Sequence, residues 1–342
     1  MNKTISLSII VAGIILSGSC KKSESNFAPS IYMAVIDTYG DSSNIQYFKN
    51  GKATIVDNMR HPAVSSMCVS GSNIYLGGAA NNSTNTTSVA KYWANGKGVD
   101  LTDGTFNALV NAICVSGNDV YAAGWESNGL YYVPKYWKNG NAVPLTDGTI
   151  GGQLFAIAVV GSDVYAAGYE VNFNPVATLW KNGKAIALTD GSNDARAFSM
   201  FISGNDIYIG GYEWNGSHNV AKYWKNGTAV ALSDGTSDAE INSIFVSGTD
   251  VYAAGDEFRA NTLTRKAKYW KNGSAVELTS GITDDAVLSS IFIYGTDIYA
   301  GGYEGDLSNP NSGFIARYWK NGTSVALTTE QDDGAVVSII VK

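Results

Sequence analysis

Acidic side chains recur in this sequence at two fixed places, and either place could hold a cation or exchange a proton. The first series is Asp37, Glu126, Glu170, Glu213, Glu257 and Glu304, with Ala80 standing where a seventh would fall. A cation follows at Lys91, Lys135, Lys222, Lys268 and Arg317. On neighbouring antiparallel strands these would pair as Glu126 with Lys135, Glu213 with Lys222, Glu257 with Lys268 and Glu304 with Arg317. The competing expectation is a ring of carboxylates that binds a cation or a basic partner, and Glu170, opposite Thr178, is a lone copy that keeps it open. The second series is Asp194, Asp238, Asp285 and Asp333, with His61, Asn107 and Gly151 in the same place elsewhere. An aspartate just before a strand is expected to bond its own turn backbone. A calcium site would need several oxygens from one loop, and no loop carries a dense run of Asp or Asn. The two histidines, His61 and His218, stand far apart, and there is no clustered His/Cys spacing, nucleophile elbow or phosphate loop. A carboxylate pair for glycoside hydrolysis could be drawn from so many acids, but nothing singles one out. No catalytic residue, metal or cofactor is therefore expected.

The cysteines divide into two kinds. Cys20 ends the stretch Leu16-Ser17-Gly18-Ser19-Cys20, which follows Lys3 and a short apolar run from Ile5 to Leu16. Such a run is a signal segment, too short and serine-rich for a membrane span. The small residues before Cys20 resemble the lipobox of bacterial lipoproteins, although Ser17 occupies the place where an aliphatic residue is usual. That resemblance implies acylation of Cys20 and residence in the bacterial cell envelope, at the outer membrane. Residues 1–19 are thus expected to be a lipoprotein signal peptide and residues 20–30 a flexible tether. Cys68 and Cys114 both precede Val-Ser-Gly in corresponding places, where other units carry Ala158, Phe201, Phe245, Phe292 and Ile340. They are expected to be buried free thiols, too far apart for a disulfide.

What positions these residues is a repeat. Tyr-Trp-Lys-Asn-Gly occurs at Tyr136–Gly140, Tyr223–Gly227, Tyr269–Gly273 and Tyr318–Gly322, with variants at Tyr47–Gly51, Tyr92–Gly96 and Leu179–Gly183. The aromatic at 48, 93, 137, 180, 224, 270 and 319 makes seven units of 43 to 49 residues. Within each unit the alternation predicts four short strands, here called a to d. Strand b carries tyrosine at 32, 75, 121, 165, 208, 252 and 299. Strand a carries a small residue at Ser66, Ala112, Ala156, Ser199, Ser243, Ser290 and Ser338, which suits crowding at a central axis. Asn-Gly between c and d suits a type I′ hairpin. Four antiparallel strands in about 44 residues is the scale of one β-propeller blade. Residues 31–342 are therefore expected to form an all-β, seven-bladed β-propeller of four-stranded blades. The last strand, Val336 to Lys342, is an a strand, and Ile31 to Asp37 is a b strand with no a before it. Blade 1 should then be shared between the two ends, which closes the ring and hides its edges.

The unit resembles the kelch family, in which an apolar strand and a turn lead to a strand ending Gly-Gly, then a Tyr, then a Trp. Ile207-Tyr208-Ile209-Gly210-Gly211 and Tyr223 carry the resemblance, whereas Trp224 follows the tyrosine directly instead of lying on strand d. Few charges (15%), many aromatics (11%) and 38 glycines mark a turn-rich globular chain. The formal charge of -7 argues against a nucleic-acid partner. A propeller hosts many functions. The leading expectation is an envelope-anchored, monomeric binding module for a glycan or protein ligand. The alternatives are an envelope glycan-active enzyme and a purely structural surface protein. The a–b and c–d turns are short and uniform, while the b–c loops vary in length and carry aromatics, so the b–c and d–a loop face is the expected ligand face. Its candidate residues are Trp125, Tyr131, Tyr132, Phe173, Trp214, His218, Phe258 and Phe314.

Overall fold

A computed structural model describes residues 28–39, 42–57, 62–84, 86–259, 264–279, 284–306, 313–331 and 333–342. Cys20, the signal segment, all but the last three residues of the tether and His61 lie outside the described residues. Those described form seven four-stranded antiparallel sheets and no helix. Strands a to d of blade 5 are Ala195–Ser203, Asp206–Trp214, Asn219–Lys225 and Thr228–Ala231. Each a strand touches the a strands of both neighbouring blades, so the seven sheets form a ring with strand a innermost. Blade 1 is completed by Asp333–Val341 as its a strand beside Ile31–Tyr39, Ser42–Lys49 and Lys52–Asp57. The closure is as expected: Ile31 pairs with Val341, and Thr38 with Asp333.

Two devices join the blades. The tryptophans of strand c are buried to 2% exposure or less and pack backwards. Trp137 meets Ala90 and Leu101 of blade 2, and Trp270 meets Ala221 and Leu232 of blade 5. The small residue of strand a does more than save space. The hydroxyls of Ser66, Ser199, Ser243 and Ser290 accept the backbone N–H of Ile113, Ile244, Ile291 and Ile339 in the next blade, at 3.0 to 3.3 Å. These amides point away from their own sheets, and a buried N–H without an acceptor would be costly.

A β-bulge interrupts every a–b pair next to that small residue. It drives the a-strand carbonyl onto strand b. A Cβ at Gly124, Gly168, Gly211, Gly255 or Gly302 would stand 1.9 Å from the carbonyl oxygen of Leu109, Gln153, Arg196, Glu240 or Val287. In these blades only glycine tolerates that approach, which explains the glycine three residues after the strand-b tyrosine in blades 2 to 7; blade 1 carries Val35 there.

Candidate functional site

The two ends of the ring are built differently. At the a–b and c–d end, here the turn face, one arrangement is repeated. The hairpin asparagines at 50, 95, 139, 182, 226, 272 and 321 hold φ of 50 to 52°. Each Oδ1 accepts a backbone amide at the start of strand b in its own blade, from Ile31 to Ile298, at 2.8 to 2.9 Å. In blades 3 to 7 the asparagine Nδ2 donates to Asp119, Asp163, Asp206, Asp250 and Asp297 at 2.7 to 2.8 Å. The neighbouring lysine (138, 181, 225, 271 or 320) binds the same carboxylate at 2.8 to 3.0 Å. It also lies 5.1 to 5.3 Å from the strand-b tyrosine ring. These lysine and asparagine hydrogen bonds hold the five carboxyls below their ordinary range.

Towards the other end, the expected cross-strand ion pairs form. Lys135 reaches Glu126 and Lys222 reaches Glu213 at 2.6 Å, Lys268 reaches Glu257 at 2.7 Å and Arg317 reaches Glu304 at 2.8 Å. Where Ala80 replaces the acid, Lys91 turns to Asp100 on strand d at 2.8 Å. Glu170 pairs with Val176 on strand c, two residues before Thr178, and burial raises its pKa. The second acidic series departs from expectation. Instead of bonding their own turns, three of the four aspartates cap strand c of the preceding blade, while Asp194 pairs with Arg196 at 3.1 Å and accepts from the Tyr212 hydroxyl at 3.2 Å. Asp238 accepts the amide of Asn219, Asp285 that of Arg265 and Asp333 that of Phe314, at 2.7 to 3.1 Å, while Asn107 does so for Ser88. The turn role belongs to Asp103, Asp147, Asp190 and Asp234, which accept the amide two residues on at 2.8 to 2.9 Å. The reason is geometric: the d–a crossover carries the chain between blades, so a side chain near its end faces the sheet just left.

The loop face differs from blade to blade. In blade 3 the b–c loop is fixed by Asn128. Its Oδ1 accepts the amides of Leu130 (3.0 Å) and Tyr131 (2.8 Å), and its Nδ2 donates to the Gly148 carbonyl at 2.9 Å. Asn215 does the same in blade 5 for Ser217 and His218. The loop so held displays Leu130 at 84% exposure, with Tyr131 and Tyr132 about half exposed. With Ile150, Tyr169 and Val171 they line a hollow of about 510 Å³ between blades 3 and 4. Phe173, at the tip of the blade 4 hairpin with φ of 70°, is 99% exposed. Trp125 lies inside this rim with its ring 4.3 Å from that of Tyr132. Together with Asn111, Gln153, Phe155, Tyr169, Arg196 and Phe198 they line a further hollow of about 320 Å³ at the mouth of the axis.

The remaining candidates stand apart from this group. Trp214 borders a separate hollow beside Asn174 and Asp194. His218 places Nδ1 3.6 Å from Asp238. Phe258 and Phe314 are half-buried, against Arg265 and Tyr303 respectively. Sequence reasoning missed the axial mouth itself. There strand a carries Leu109, Gln153, Arg196 and Glu240 in successive blades, opposite Trp125, Tyr169, Tyr212 and Asp256 on strand b. A position that changes character in every unit between constant neighbours was the available signal. Burial pushes the Asp256 carboxyl well above the ordinary range, and the facing Glu240 adds to it. Glu240 is raised as well, chiefly by burial, with Arg265 and Arg196 opposing. Arg265 is partly buried, but its bonds to Asp285 and the nearby Asp256 hold it charged. Among the described residues no group of three or more His, Cys, Asp or Glu is placed to hold a metal ion.

No protein-family model and no curated protein matches this chain. Among solved structures it is similar to the acylaminoacyl peptidase of Pyrococcus horikoshii, at 11% identity and a TM-score of 0.54, over 89% of this chain and 53% of that one. An acylaminoacyl peptidase in complex with Z-Gly-Gly-Phe-chloromethyl ketone gives 12% and 0.53, over 90% and 51%. This chain thus spans about half the length of those two peptidases. The β-propeller domain of the Trilobed protease from Pyrococcus furiosus, described as having an open velcro topology, gives 10% and 0.54, over 88% of this chain and 95% of that one. Likeness at this level of identity is likeness of fold, and this chain is a seven-bladed β-propeller whose ring is closed by pairing residues 31–38 with 333–341.

Proposed function

We propose that this protein is an envelope-anchored binding module with a kelch-like repeat, which holds a polypeptide ligand on the loop face over blades 3 and 4. One observation carries the reading. Among the described residues, the large apolar side chains exposed on the loop face are Phe106, Leu130, Tyr131, Tyr132, Val171 and Phe173, and all belong to this one sector. Their other exposed counterparts lie on outer strands, as Ile55, Ile186, Val230, Val276 and Val325 do, or on a turn at the other end, as Tyr294 does. An apolar patch gathered on one sector of a soluble face marks an interaction surface. Aliphatic Leu130 and Val171 among the aromatics favour apolar side chains of a partner. Tyr131 and Tyr132 add flat area at little rotamer cost.

A glycan ligand is the second reading. It rests on the axial hollow, where the rings of Trp125, Tyr169 and Phe155 stand beside Gln153, Asn111 and Arg196 as possible hydrogen-bond partners. Anchoring rests on residues 1–20: the signal segment and the small residues before Cys20.

The test is a paired screen of mature protein against envelope proteins and a glycan array. Alanine at Leu130, Tyr131 and Tyr132 should weaken capture of a protein ligand about tenfold or more, while alanine at Asn139 should not. Equal loss from both changes rejects the site. Glycan binding lost only with Trp125→Ala would instead favour the second reading. For the anchor, a clickable fatty acid should label the wild type and not Cys20→Ala; an unlabelled wild type in the envelope would overturn it.

A further inference from the structure

The tether fixes which way the ring faces. Ser30 exchanges both backbone hydrogen bonds with Lys342, and Asn50 on the c–d hairpin of blade 1 accepts the amide of Ile31 at 2.8 Å. Strand b of blade 1 therefore starts at the turn face, and Ser30, the last residue of the tether, lies there. A fully extended chain covers at most about 3.6 Å per residue, so Cys20 lies within about 36 Å of Ser30. To reach the loop face it would have to pass outward over two strands, roughly 10 Å, and climb the outer strand Lys52–Asp57, roughly 20 Å. That path takes most of the fully extended tether, whereas the turn face lies directly at Ser30.

The charge of the turn face points the same way. Its five Lys–Asp pairs in blades 3 to 7 cancel. Lys49, Lys52, Lys97 and Lys184 are exposed at the same hairpins, and among the described residues they make no ion pair. At the place that Asp119 takes in blade 3, blade 1 has Ser30 and blade 2 has Asn73. This basic excess stands out in a chain whose formal net charge is -7. Lys21 and Lys22 follow the anchor directly. One lipid signal next to a basic patch is the combination that holds a protein stably on an anionic bilayer.

We propose that the turn face lies against anionic lipid headgroups, with Lys49, Lys52, Lys97 and Lys184 in contact, and that the loop face points away from the bilayer. This rests on the reading of Cys20 as the anchor. To separate the two, orientation is measured on a chain whose residue 20 carries a ligated diacyl group, whether or not the cell acylates it. A fluorophore is placed by Thr228→Cys at the turn face or Ser217→Cys at the loop face of the same blade. Cys68 and Cys114 are buried and do not compete for the label. Vesicles of phosphatidylcholine with phosphatidylglycerol carry nitroxide headgroups as quenchers. The label at 228 should be quenched several-fold more than that at 217. Changing Lys52, Lys97 and Lys184 to glutamine should shrink the difference, as should omitting phosphatidylglycerol. Equal quenching at the two positions, or stronger quenching at 217, overturns the orientation. Quenching at 228 that ignores both the lysines and the phosphatidylglycerol overturns the headgroup contact.

Discussion

The turn face and the loop face are made by the same strands, yet one is written seven times and the other barely repeats. At the turn face of blades 3 to 7 Asn, Lys, Asp and Tyr satisfy one another within the blade, and what is left over is the charge of the lysines that lack such a partner. At the loop face the same strands end in Trp125 and Leu109 in blade 3, Tyr169 and Gln153 in blade 4, and Asp256 and Glu240 in blade 6. The titrations have opposite signs as well. Turn-face aspartates are held below the ordinary range, and the acids of the axial mouth above it. One end is a frame and the other a surface free to differ.

That contrast can be broken, or sharpened, in four ways. The largest effect belongs to the frame. Deleting Val336 to Lys342 removes most of the inner strand of blade 1 and exposes blades 2 and 7. Cooperative melting should be lost, and an unchanged calorimetric transition would mean the ring is not closed by this strand. Next come single residues. Asn226→Ala forces a non-glycine φ of 50° on alanine and orphans the Ile207 amide, at a cost of about 1–2 kcal/mol. Leu130→Ala, at an exposed side chain, should stay within about 0.5 kcal/mol by urea unfolding. Equal costs would erase the distinction between frame and surface.

The third test is pH. The neutral acid of Asp256 is the form the fold favours. Its contribution is therefore present at acid pH and lost as pH rises from about 4 through the raised value. Asp256→Asn should flatten that decline and melt higher than wild type at neutral pH. Asp206, held low, contributes in the opposite sense: its share is present above about 4 and lost as pH falls through the lowered value. Asp206→Asn should therefore weaken the protein at neutral pH and make little difference in strong acid. Melting curves across this range that shift alike for both variants would count against opposite environments. The smallest effect is chemical. Burial pushes the Cys68 thiol up to about 11 and Cys114 further, so native protein should react slowly with a thiol reagent. Denatured, unreduced protein should then titrate both; finding neither would indicate oxidation.

What the sequence made legible followed from periodicity. Four strands per unit, the Asn-Gly hairpins, the shared blade and the pairs from Glu126–Lys135 to Glu304–Arg317 all depend on spacing along one chain, which the repeat displays seven times. The axial mouth does not. Arg196, Glu240 and Asp256 meet because two neighbouring blades converge on the axis, and no local pattern encodes that convergence. The capping aspartates were misassigned for a related reason. Their partners, such as Asn219 for Asp238, sit in the preceding blade, and a turn-residue argument looks only at nearby backbone. The serines of strand a were read by their size, but their hydroxyls also bridge blades.

The shared blade has a consequence in time. Ile31 pairs with Val341 at the far end of the sequence, so a ribosome must deliver nearly everything between them before that contact exists. Until then blade 1 has an open flank and blade 2 has no inner neighbour on one side. Contacts of such long separation are slow to form, because loop closure entropy is lost before they stabilise anything. Blades 2 to 7 are each continuous in sequence and can assemble early, one against the last. Blade 1 is the final stitch, and the interval before it is tied is when the chain is most exposed to proteases and to its own copies.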